Sequence, residues 1–253
     1  MNLYNIVCVA GTDTDVGKSV VSAGLLRALS EAKVKTQGLK LVQSGCLDLQ
    51  DVCGPRLDAE LYAAAAPACS ARSLYSFARP CSPHLAARQQ GQQLCAASLA
   101  ATVRQEALAY DFSIVEGSGG VFVPLNEKES FLDFFVRLAA PVVLVVANRL
   151  GAINHALLSL EALAARQIAV PGLVFTETSP GLTEDERELR LDNVESIARM
   201  SGLPVLACLP FVAALGERAG QEQAAAWQEI AALLSPLARR LLADRAELAG
   251  GAQ

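Results

Sequence analysis

The sequence predicts an α/β fold: a single domain, residues 1–253, in which helices cover both faces of a mostly parallel β-sheet. Short, continuously apolar segments alternate with longer segments whose apolar residues recur at helical spacing. Continuously apolar strands are typical of parallel sheets that are buried on both faces. The chain is 52% hydrophobic over 253 residues, which is enough to bury a sizeable core, and no repeat or low-complexity linker divides it.

The first half of the chain opens with a predicted strand and a predicted helix. Residues 3–10 are apolar and rich in β-branched side chains, which favours a buried strand. Residues 18–29 place Val21, Leu25 and Leu29 at helical spacing. The same patterns predict a strand at residues 34–42 and helices at residues 57–66, from Ser82-Pro83 onward and at residues 97–109.

In the second half, predicted strands and helices alternate without a break. A strand at residues 112–115 ends at Glu116. Further strands are expected at residues 142–147, 169–176 and 204–209, and helices at residues 130–139, 153–166, 183–201 and 223–240. In a sheet of this kind, ligands bind at the carboxyl ends of the strands.

Composition and charge exclude several classes of function. The net charge of −5 gives no attraction for nucleic acid or for an anionic membrane. The longest apolar run, residues 139–147, is too short to span a bilayer, and the start of the chain lacks the pattern of a signal peptide. Seven cysteines, an odd number without a C-x-x-C pair, indicate reduced thiols. We therefore expect a cytoplasmic protein that binds neither nucleic acid nor membrane.

The segment AGTDTDVGKS, residues 10–19, ends like a phosphate-binding loop but does not begin like one. The usual template is Gly, four residues, then Gly-Lys-Ser/Thr. Here Thr12 holds the place of the first glycine, Gly11 lies one position too early, and Asp13 and Asp15 lie inside the loop. The sequence therefore raises the question of why a loop that should surround anions contains carboxylates.

The position of this segment favours phosphate binding over a simple capped turn. It lies between a predicted strand and a predicted helix, where backbone N–H groups and the helix dipole attract phosphate. Lys18 is expected to contact the β- and γ-phosphates of a nucleotide, and the Ser19 hydroxyl to ligate Mg²⁺. A strand, Gly-Lys-Ser and a helix in this order predict a P-loop nucleotide-binding fold.

Three charged residues at the ends of predicted elements are further candidates. Glu116 ends the strand in FSIVEG, where a carboxylate ligand for Mg²⁺ belongs, and the alternative is a solvated strand end. Asp58 begins a helix, either as its cap or as a third ligand. Lys40 ends the second strand, either as an exposed lysine or as a group that stabilises phosphate charge. Spacing alone leaves the last two alternatives open.

Six segments together resemble the dethiobiotin synthetase family. They are GTDTDVGKS, KLVQSG, LDAELYA, SPHLAA, VEGSGGVFVPL and NRLGAINHALLS, and they run from about residue 6 to residue 210 in the family's order. The lengthened loop with an acidic residue before Val-Gly-Lys is itself characteristic of that family. The resemblance implies an ATP- and Mg²⁺-dependent carboxylase-cyclase of biotin synthesis that acts on 7,8-diaminopelargonic acid and CO₂ as a homodimer.

The resemblance also implies roles for individual residues. Lys18 and Lys40 would stabilise carbamate and phosphoryl oxygens. Ser19, Asp58 and Glu116 would hold Mg²⁺. The nucleotide would contact Asp15, Val16, Gly17, Lys18, Ser19, Val20, Asp58, Glu116, Gly117, Ser118, Gly119, Thr176, Glu177, Pro210, Phe211, Val212 and Glu217. The substrate would contact Thr14, Ser44 and, from the partner subunit, Gly151, Ala152, Ile153 and Asn154.

The sequence departs from the family pattern at three places. Thr176 stands where many members carry an asparagine that reads adenine, and a hydroxyl cannot make the bidentate contact of an amide. The preference for ATP over other triphosphates is therefore open. Leu41 replaces a usual proline, and residues 46–56 have no assignment beyond a surface loop.

Two other classes of protein share a similar loop. An amidotransferase of cobyrinic acid type needs a glutaminase domain, for which residues 211–253 are too few. A partition-type ATPase carries a lysine near the start of its loop, where this chain has Thr12-Asp13-Thr14, and no basic amphipathic tail is present. Phosphate release that depends on the diamine and bicarbonate distinguishes the carboxylase from the ATPase.

Overall fold

The structure is a computed structural model that describes residues 5–46, 57–181, 183–216 and 220–250. These residues contain seven strands: β1 (Ile6–Gly11), β2 (Thr36–Ser44), β3 (Ser70–Phe77), β4 (Phe112–Gly120), β5 (Val142–Ala147), β6 (Leu173–Thr176) and β7 (Val205–Leu209). They also contain eight α-helices: α1 (Lys18–Glu31), α2 (Asp58–Ala65), α3 (Pro83–Gln89), α4 (Ala96–Ala107), α5 (Phe131–Leu138), α6 (Ala152–Ala165), α7 (Glu184–Ser201) and α8 (Gln221–Gly250). A short 3-10 helix, Ala213–Gly216, precedes α8.

The strands form one parallel sheet in the order β3-β2-β4-β1-β5-β6-β7. One face of the sheet packs against α1, α2 and α8, and the other against α3 to α7. Successive residues of β1 point to opposite faces, so Cys8 belongs to one core cluster and Val7 and Val9 to the other. The predicted parallel sheet with helices on both faces is confirmed. None of the helices in the described ranges is both long and apolar enough to cross a membrane.

The order of the strands places a crevice next to β1. From β1 the chain passes to β2 on one side and later returns to the other side through β5, so the strand order reverses at β1. Ligands of doubly wound sheets bind outside the carboxyl ends of the strands at such a point. The segment 12–17, between β1 and α1, lies there.

Three elements differ from the sequence-based expectation. β3 was not predicted, because SARSLYSF is half-exposed along most of its length and lacks a continuous apolar run. It is an edge strand paired with β2 alone. β4 continues past Glu116 to Gly120, through the segment expected to be a loop. β6 begins at Leu173 rather than at residue 169, after Pro171, which has no N–H to give to a ladder.

Candidate functional site

The loop between β1 and α1 has the backbone of an anion-binding loop. Asp15 and Gly17 both have positive φ, 55° and 84°, and Gly17 is the N-cap of α1. A Cβ added at Gly17 would lie 2.9 Å from Cγ2 of Thr176, so glycine is required both for conformation and for space. The free N–H groups of the first turn of α1 therefore open directly onto the loop.

The carboxylate of Asp13 has a partner at each of its two oxygens. Its Oδ1 accepts a hydrogen bond of 2.7 Å from the Thr14 N–H. Its Oδ2 lies 3.1 Å from the guanidinium of Arg149, which follows β5. The Asp13 charge is thus balanced by Arg149 and tied to the loop backbone, so this carboxylate is compatible with a phosphate site.

Lys40, Asp58 and Glu116 form a buried ion-pair cluster. Lys40 and Glu116 are direct partners in the register of β2 and β4. The Lys40 Nζ lies 2.6 Å from Glu116 Oε1 and 2.6 Å from Asp58 Oδ2. Asp58 reaches the ammonium from the start of α2. The cluster settles the alternative for Lys40: it is 5% exposed and is no surface lysine.

Glu116 is fully buried and each of its oxygens has two donors. Ser19 Oγ, at 2.8 Å, and the Lys40 ammonium, at 2.6 Å, donate to Oε1. Ser22 Oγ, at 2.6 Å, and Tyr62 OH, at 2.5 Å, donate to Oε2. A carboxylate without contact with solvent needs such saturation, because an unpaired buried charge is strongly unfavourable. Ser22 and Tyr62 carried no sequence motif that singled them out.

The electrostatics keep this cluster charged. Burial raises the pKa of Glu116, but the Lys40 charge and the donated hydrogen bonds outweigh burial, and the net direction is downward. Burial lowers the pKa of Lys40, but Glu116 and Asp58 outweigh it, and the net direction is upward. Burial, with repulsion from Lys40, lowers the pKa of Lys18 to about 8. Lys18 is therefore the cation of the site whose charge is least compensated by carboxylates.

Half of the candidate site residues share one cavity of about 440 Å³ at the carboxyl ends of β1, β2 and β4. It is lined by Thr14, Asp15, Val16, Gly17, Lys18, Ser19, Val20, Lys40, Val42, Gln43, Ser44, Asp58, Ser118 and Gly119. Val42 and Gln43 were not predicted, and the Gln43 side chain accepts a hydrogen bond of 3.0 Å from the Asp58 N–H. A larger cavity of about 630 Å³ lies at the amino ends of the strands, lined by residues such as Ile6 and Phe112, and contains none of the loop residues.

Thr176 is placed differently from the expectation of a side chain directed at a base. It is 4% exposed, and its Oγ1 donates a hydrogen bond of 2.7 Å to the carbonyl of Val16. It does not line the cavity. The hydroxyl therefore supports the loop from behind, and any contact between Thr176 and a nucleotide stays a prediction.

The other residues expected around the nucleoside lie near the ends of β6 and β7. Glu177 follows β6 and forms an ion pair with Arg190 of α7, and Asn148 donates to its Oε1 at 3.2 Å. Pro210, Phe211 and Val212 follow β7, with Phe211 40% exposed. Gly117 continues β4 beyond Glu116. Glu217 lies outside the described residues, as do residues 47–56 of the unassigned segment.

The segment 151–154 forms the exposed start of α6 and does not line the cavity of its own chain. Gly151 is the N-cap, with φ of 89°, and the N–H groups of the first turn need partners from outside the helix. Gly151 and Asn154 are exposed, whereas Ala152 is buried. The geometry suits a carboxylate that approaches from another molecule.

The donor set around Lys40 fits a hard divalent cation. Ser19 Oγ contacts a carboxylate oxygen of Glu116, and the Lys40 ammonium lies between the carboxylates of Glu116 and Asp58. Mg²⁺ prefers such oxygen ligands and keeps several waters. Within the described ranges no group of three or more His, Cys, Asp or Glu side chains could hold a metal ion.

Comparisons with known proteins show which family the chain resembles. A family model described as an AAA domain matches residues 5–219. The chain is 36% identical over 209 residues to the ATP-dependent dethiobiotin synthetase BioD of Halalkalibacterium halodurans, which covers 80% of this chain and 83% of that protein. It is 40% identical over 205 residues to the protein of the same name from Pseudomonas aeruginosa strain PAO1, covering 80% of this chain and 88% of the relative.

Solved structures show the same fold at low identity. The MinC:MinD cell division protein complex of Aquifex aeolicus matches with a TM-score of 0.60 and 13% identity, covering 94% of this chain and 96% of that chain. A ParA family ATPase from Chlorobium tepidum TLS matches with a TM-score of 0.55 and 15% identity, covering 93% and 99%. At these identities the likeness establishes the fold alone.

Proposed function

Because this chain belongs to the ATP-dependent dethiobiotin synthetase family, we propose that its cavity performs the family's reaction with the residues described above. The reaction is the carboxylation and ring closure of 7,8-diaminopelargonic acid to dethiobiotin, with ATP converted to ADP and phosphate. The observation that carries the assignment of the site is the meeting of the P-loop, Lys18 and the Lys40 cluster in one cavity. The partition-type and amide-ligase alternatives are not favoured by the relatives.

The chemistry divides into three steps. One amine of the substrate adds to CO₂ and loses a proton, which gives a carbamate. A carbamate oxygen attacks the γ-phosphorus, the bond to ADP breaks, and a carbamic–phosphoric anhydride forms. The second amine attacks the carbamoyl carbon, loses its proton, closes the ureido ring and expels phosphate. Each step places negative charge on oxygens that cationic groups must stabilise.

The described residues have the charges that these steps need. Lys18, at the end of the loop, would contact the β- and γ-phosphate oxygens, and its pKa of about 8 in the free site would be raised by their negative charge. Lys40, held charged by Glu116 and Asp58, would stabilise the carbamate and the transferring phosphoryl group. Thr14 and Ser44 would contact the diamine and the carbamate, since both border the cavity beside these lysines.

Mg²⁺ would be held by Ser19, Asp58 and Glu116. When bound, it supplies positive charge that neutralises phosphate oxygens and holds them in place. Ser19 already contacts Glu116, and Glu116 and Asp58 already contact one cation, the Lys40 ammonium.

We place the reaction in a reducing compartment. The six cysteines that fall within the described ranges, Cys8, Cys46, Cys69, Cys81, Cys95 and Cys208, are free thiols. Free thiols without disulfides are typical of cytoplasmic proteins. This supports the expectation of a cytoplasmic enzyme with small-molecule substrates.

A homodimer would complete the site. Three large apolar side chains on or next to α6 and α7 are exposed: Leu150 by 85%, Leu158 by 61% and Leu191 by 67%. The helices α6 and α7 pack against each other, and contiguous exposed apolar surface commonly marks an interface between subunits. The start of α6 lies beside them, so a second copy on this surface would receive the N–H groups of residues 151–154 as a site for its substrate carboxylate.

Mixing two inactive variants should restore activity if the site is shared. Lys18→Ala disables the loop of one chain, and Asn154→Asp puts a negative charge where the partner's substrate carboxylate is proposed to bind. Hybrid dimers then keep one intact site each, so the mixture should recover up to about a quarter of the wild-type rate. Turnover is measured after subunit exchange is verified by mass spectrometry of tagged chains. Activity that stays at the level of the separate variants would contradict the shared site.

We expect weak discrimination between nucleoside triphosphates that differ in their base. A lost bidentate amide contact removes roughly 1–3 kcal/mol of discrimination, and the hydroxyl of Thr176 is engaged with the Val16 carbonyl. We expect CTP and GTP to support turnover within about tenfold of ATP in kcat/KM. Thr176→Val, which removes the hydroxyl but keeps the shape, should lower kcat/KM for all three by a similar factor, because it weakens the loop. An ATP preference of about a hundredfold or more would show that other groups read adenine.

Phosphate release tests the proposed function against the ATPase alternative. With MgATP present, release should require both the diamine and bicarbonate, and omission of either should abolish it above background. Phosphate release that is unchanged when both are omitted would indicate an ATPase and contradict the carboxylase. Lys18→Ala serves as the background control in each mixture.

A further inference from the structure

Tyr62 is a buried phenol that no motif of the sequence singled out. It lies on α2 and is 0% exposed. Its hydroxyl donates a 2.5 Å hydrogen bond to Oε2 of Glu116. Its ring packs under β2, where a Cβ added at Gly38 would lie 2.8 Å from Tyr62 Cδ2. The ring explains packing in the core, but the hydroxyl points at the one fully buried carboxylate of the site.

The two oxygens of Glu116 have different surroundings. Oε1 faces Ser19 and Lys40, which border the cavity. Oε2 faces Ser22 and Tyr62, both 0% exposed, and neither borders the cavity. A carboxylate oxygen has two lone pairs, so Tyr62 and Ser22 together saturate Oε2. The two partners of Oε1, Ser19 and Lys40, border the cavity, so Oε1 is the oxygen of Glu116 that can exchange one of its partners for a bound ion.

Tyr62 also fixes the helix that carries Asp58. The two residues are four apart on α2 and therefore lie on the same face. Asp58 Oδ2 contacts the Lys40 ammonium at 2.6 Å, while Tyr62 OH contacts the Glu116 that binds the same ammonium. One face of α2 is thus attached to the cluster through Asp58 and through Tyr62. The position of the Asp58 carboxylate therefore depends on the hydrogen bond between Tyr62 and Glu116.

We propose that Tyr62 is a positioning residue for the cation site: its hydroxyl holds Oε2 of Glu116 so that Oε1 and the Asp58 carboxylate face one ion. Tyr62 touches neither the nucleotide nor the substrate in this arrangement. The inference rests on the proposed function, which makes Asp58 and Glu116 ligands of Mg²⁺. Groups that orient metal ligands from behind typically change metal affinity by about 10- to 100-fold when they are removed.

Direct cation binding tests the inference without relying on turnover. Mn²⁺ is titrated into the full chain saturated with ADP, and free Mn²⁺ is followed by electron paramagnetic resonance. Tyr62→Phe keeps the buried ring and removes only the hydroxyl, and we expect its Mn²⁺ dissociation constant to rise by about 10- to 100-fold. Binding of ADP in the absence of metal, measured by calorimetry, should change little. A role in packing alone would weaken both equilibria alike.

Three further variants make the result decisive. Tyr110→Phe removes a phenol hydroxyl at the amino end of β4, far from the cavity, and should bind Mn²⁺ like the parent chain. Ser22→Ala removes the other donor to Oε2 and should weaken Mn²⁺ binding in the same direction as Tyr62→Phe. It replaces Tyr62→Phe as the test if that variant does not fold, as judged by circular dichroism. Glu116→Gln removes the ligand itself and should lose the site.

The outcomes separate this inference from the proposed function. If Glu116→Gln binds Mn²⁺ as tightly as the parent chain, Glu116 is not a ligand, and both the metal assignment and the inference fail. If Glu116→Gln loses Mn²⁺ binding while Tyr62→Phe and Ser22→Ala keep it within about twofold, well short of the effect typical of supporting residues, the metal site stands and the inference is overturned. If Tyr62→Phe weakens Mn²⁺ binding but leaves the binding of ADP without metal unchanged, the inference is supported.

Discussion

Lys18→Ala is expected to fold like the parent chain and to lose turnover by about 10³-fold or more, the range found when a charge that stabilises transferring phosphate is removed. The ammonium is 6% exposed and lies 2.7 Å from the carbonyl of Asp13, inside the loop. Since burial lowers its pKa to about 8, its charge is incompletely compensated until phosphate arrives. Removal of this charge therefore affects the reacting state more than it affects folding.

The control for Lys18→Ala is a lysine variant outside the site. Lys128→Ala, in the exposed turn before α5, removes a charge without touching the loop and should keep the parent rate. Both variants are compared by kcat/KM for the nucleotide and by melting temperature. If Lys18→Ala keeps more than about a tenth of the parent turnover, the assignment of the loop to phosphate is wrong.

Lys40→Met should remove activity to a similar extent and also weaken the fold. It takes the cation from between Glu116 and Asp58 and leaves a fully buried carboxylate with one partner fewer. Removing one member of a buried ion pair costs about 3–5 kcal/mol. Glu116 and Asp58 are proposed to hold Mg²⁺, so added Mg²⁺ should raise the melting temperature of Lys40→Met more than that of the parent chain.

Exposed Lys35, which precedes β2, provides the matched control. Lys35→Met removes an exposed charge just before the start of the same strand, and its turnover and its response to Mg²⁺ should match those of the parent chain. A Lys40→Met variant with parent turnover would remove Lys40 from the chemistry. A melting temperature that does not respond to Mg²⁺ would argue against the two carboxylates as ligands.

The fold was predictable because strands of a buried parallel sheet leave a strong pattern. The segments that became β1 and β5 are apolar at every position, and both are fully buried. β3 escaped prediction for the opposite reason: as an edge strand it alternates Ser and Arg with Leu, Tyr and Phe, which is also the composition of a surface segment. The sequence of an edge strand shows less of the continuous apolar run that predicts a buried strand.

The site was predictable only as far as local motifs reach. The loop identified Lys18 and Ser19 from spacing alone. The meeting of Lys40 with Glu116 depends on the register of β2 against β4, which no local pattern specifies. Tyr62 and Ser22 contribute only their buried hydroxyl groups, and in the sequence they resemble ordinary core residues of two helices.

One of the two acidic residues of the loop, Asp13, acquires an explanation that the sequence did not contain. Arg149, 136 positions further along the chain, brings its guanidinium to Asp13. The backbone carbonyl of Asp13 accepts a hydrogen bond from the Lys18 ammonium. Asp13 therefore links the loop to the end of β5, next to the segment 151–154, and its carboxylate does not oppose phosphate. Only the folded chain brings these two segments together.

We expect this chain to carboxylate the diamine and close the ring, and the product of a single incubation shows whether it does. The chain is incubated with 7,8-diaminopelargonic acid, ¹³C-labelled bicarbonate, Mg²⁺ and ATP, and the product is analysed by mass spectrometry, with Lys18→Ala as the control. We expect a product that has gained one labelled carbon and one oxygen and lost two hydrogens, formed in step with phosphate. Phosphate released without this product, or a product without the label, would contradict the account.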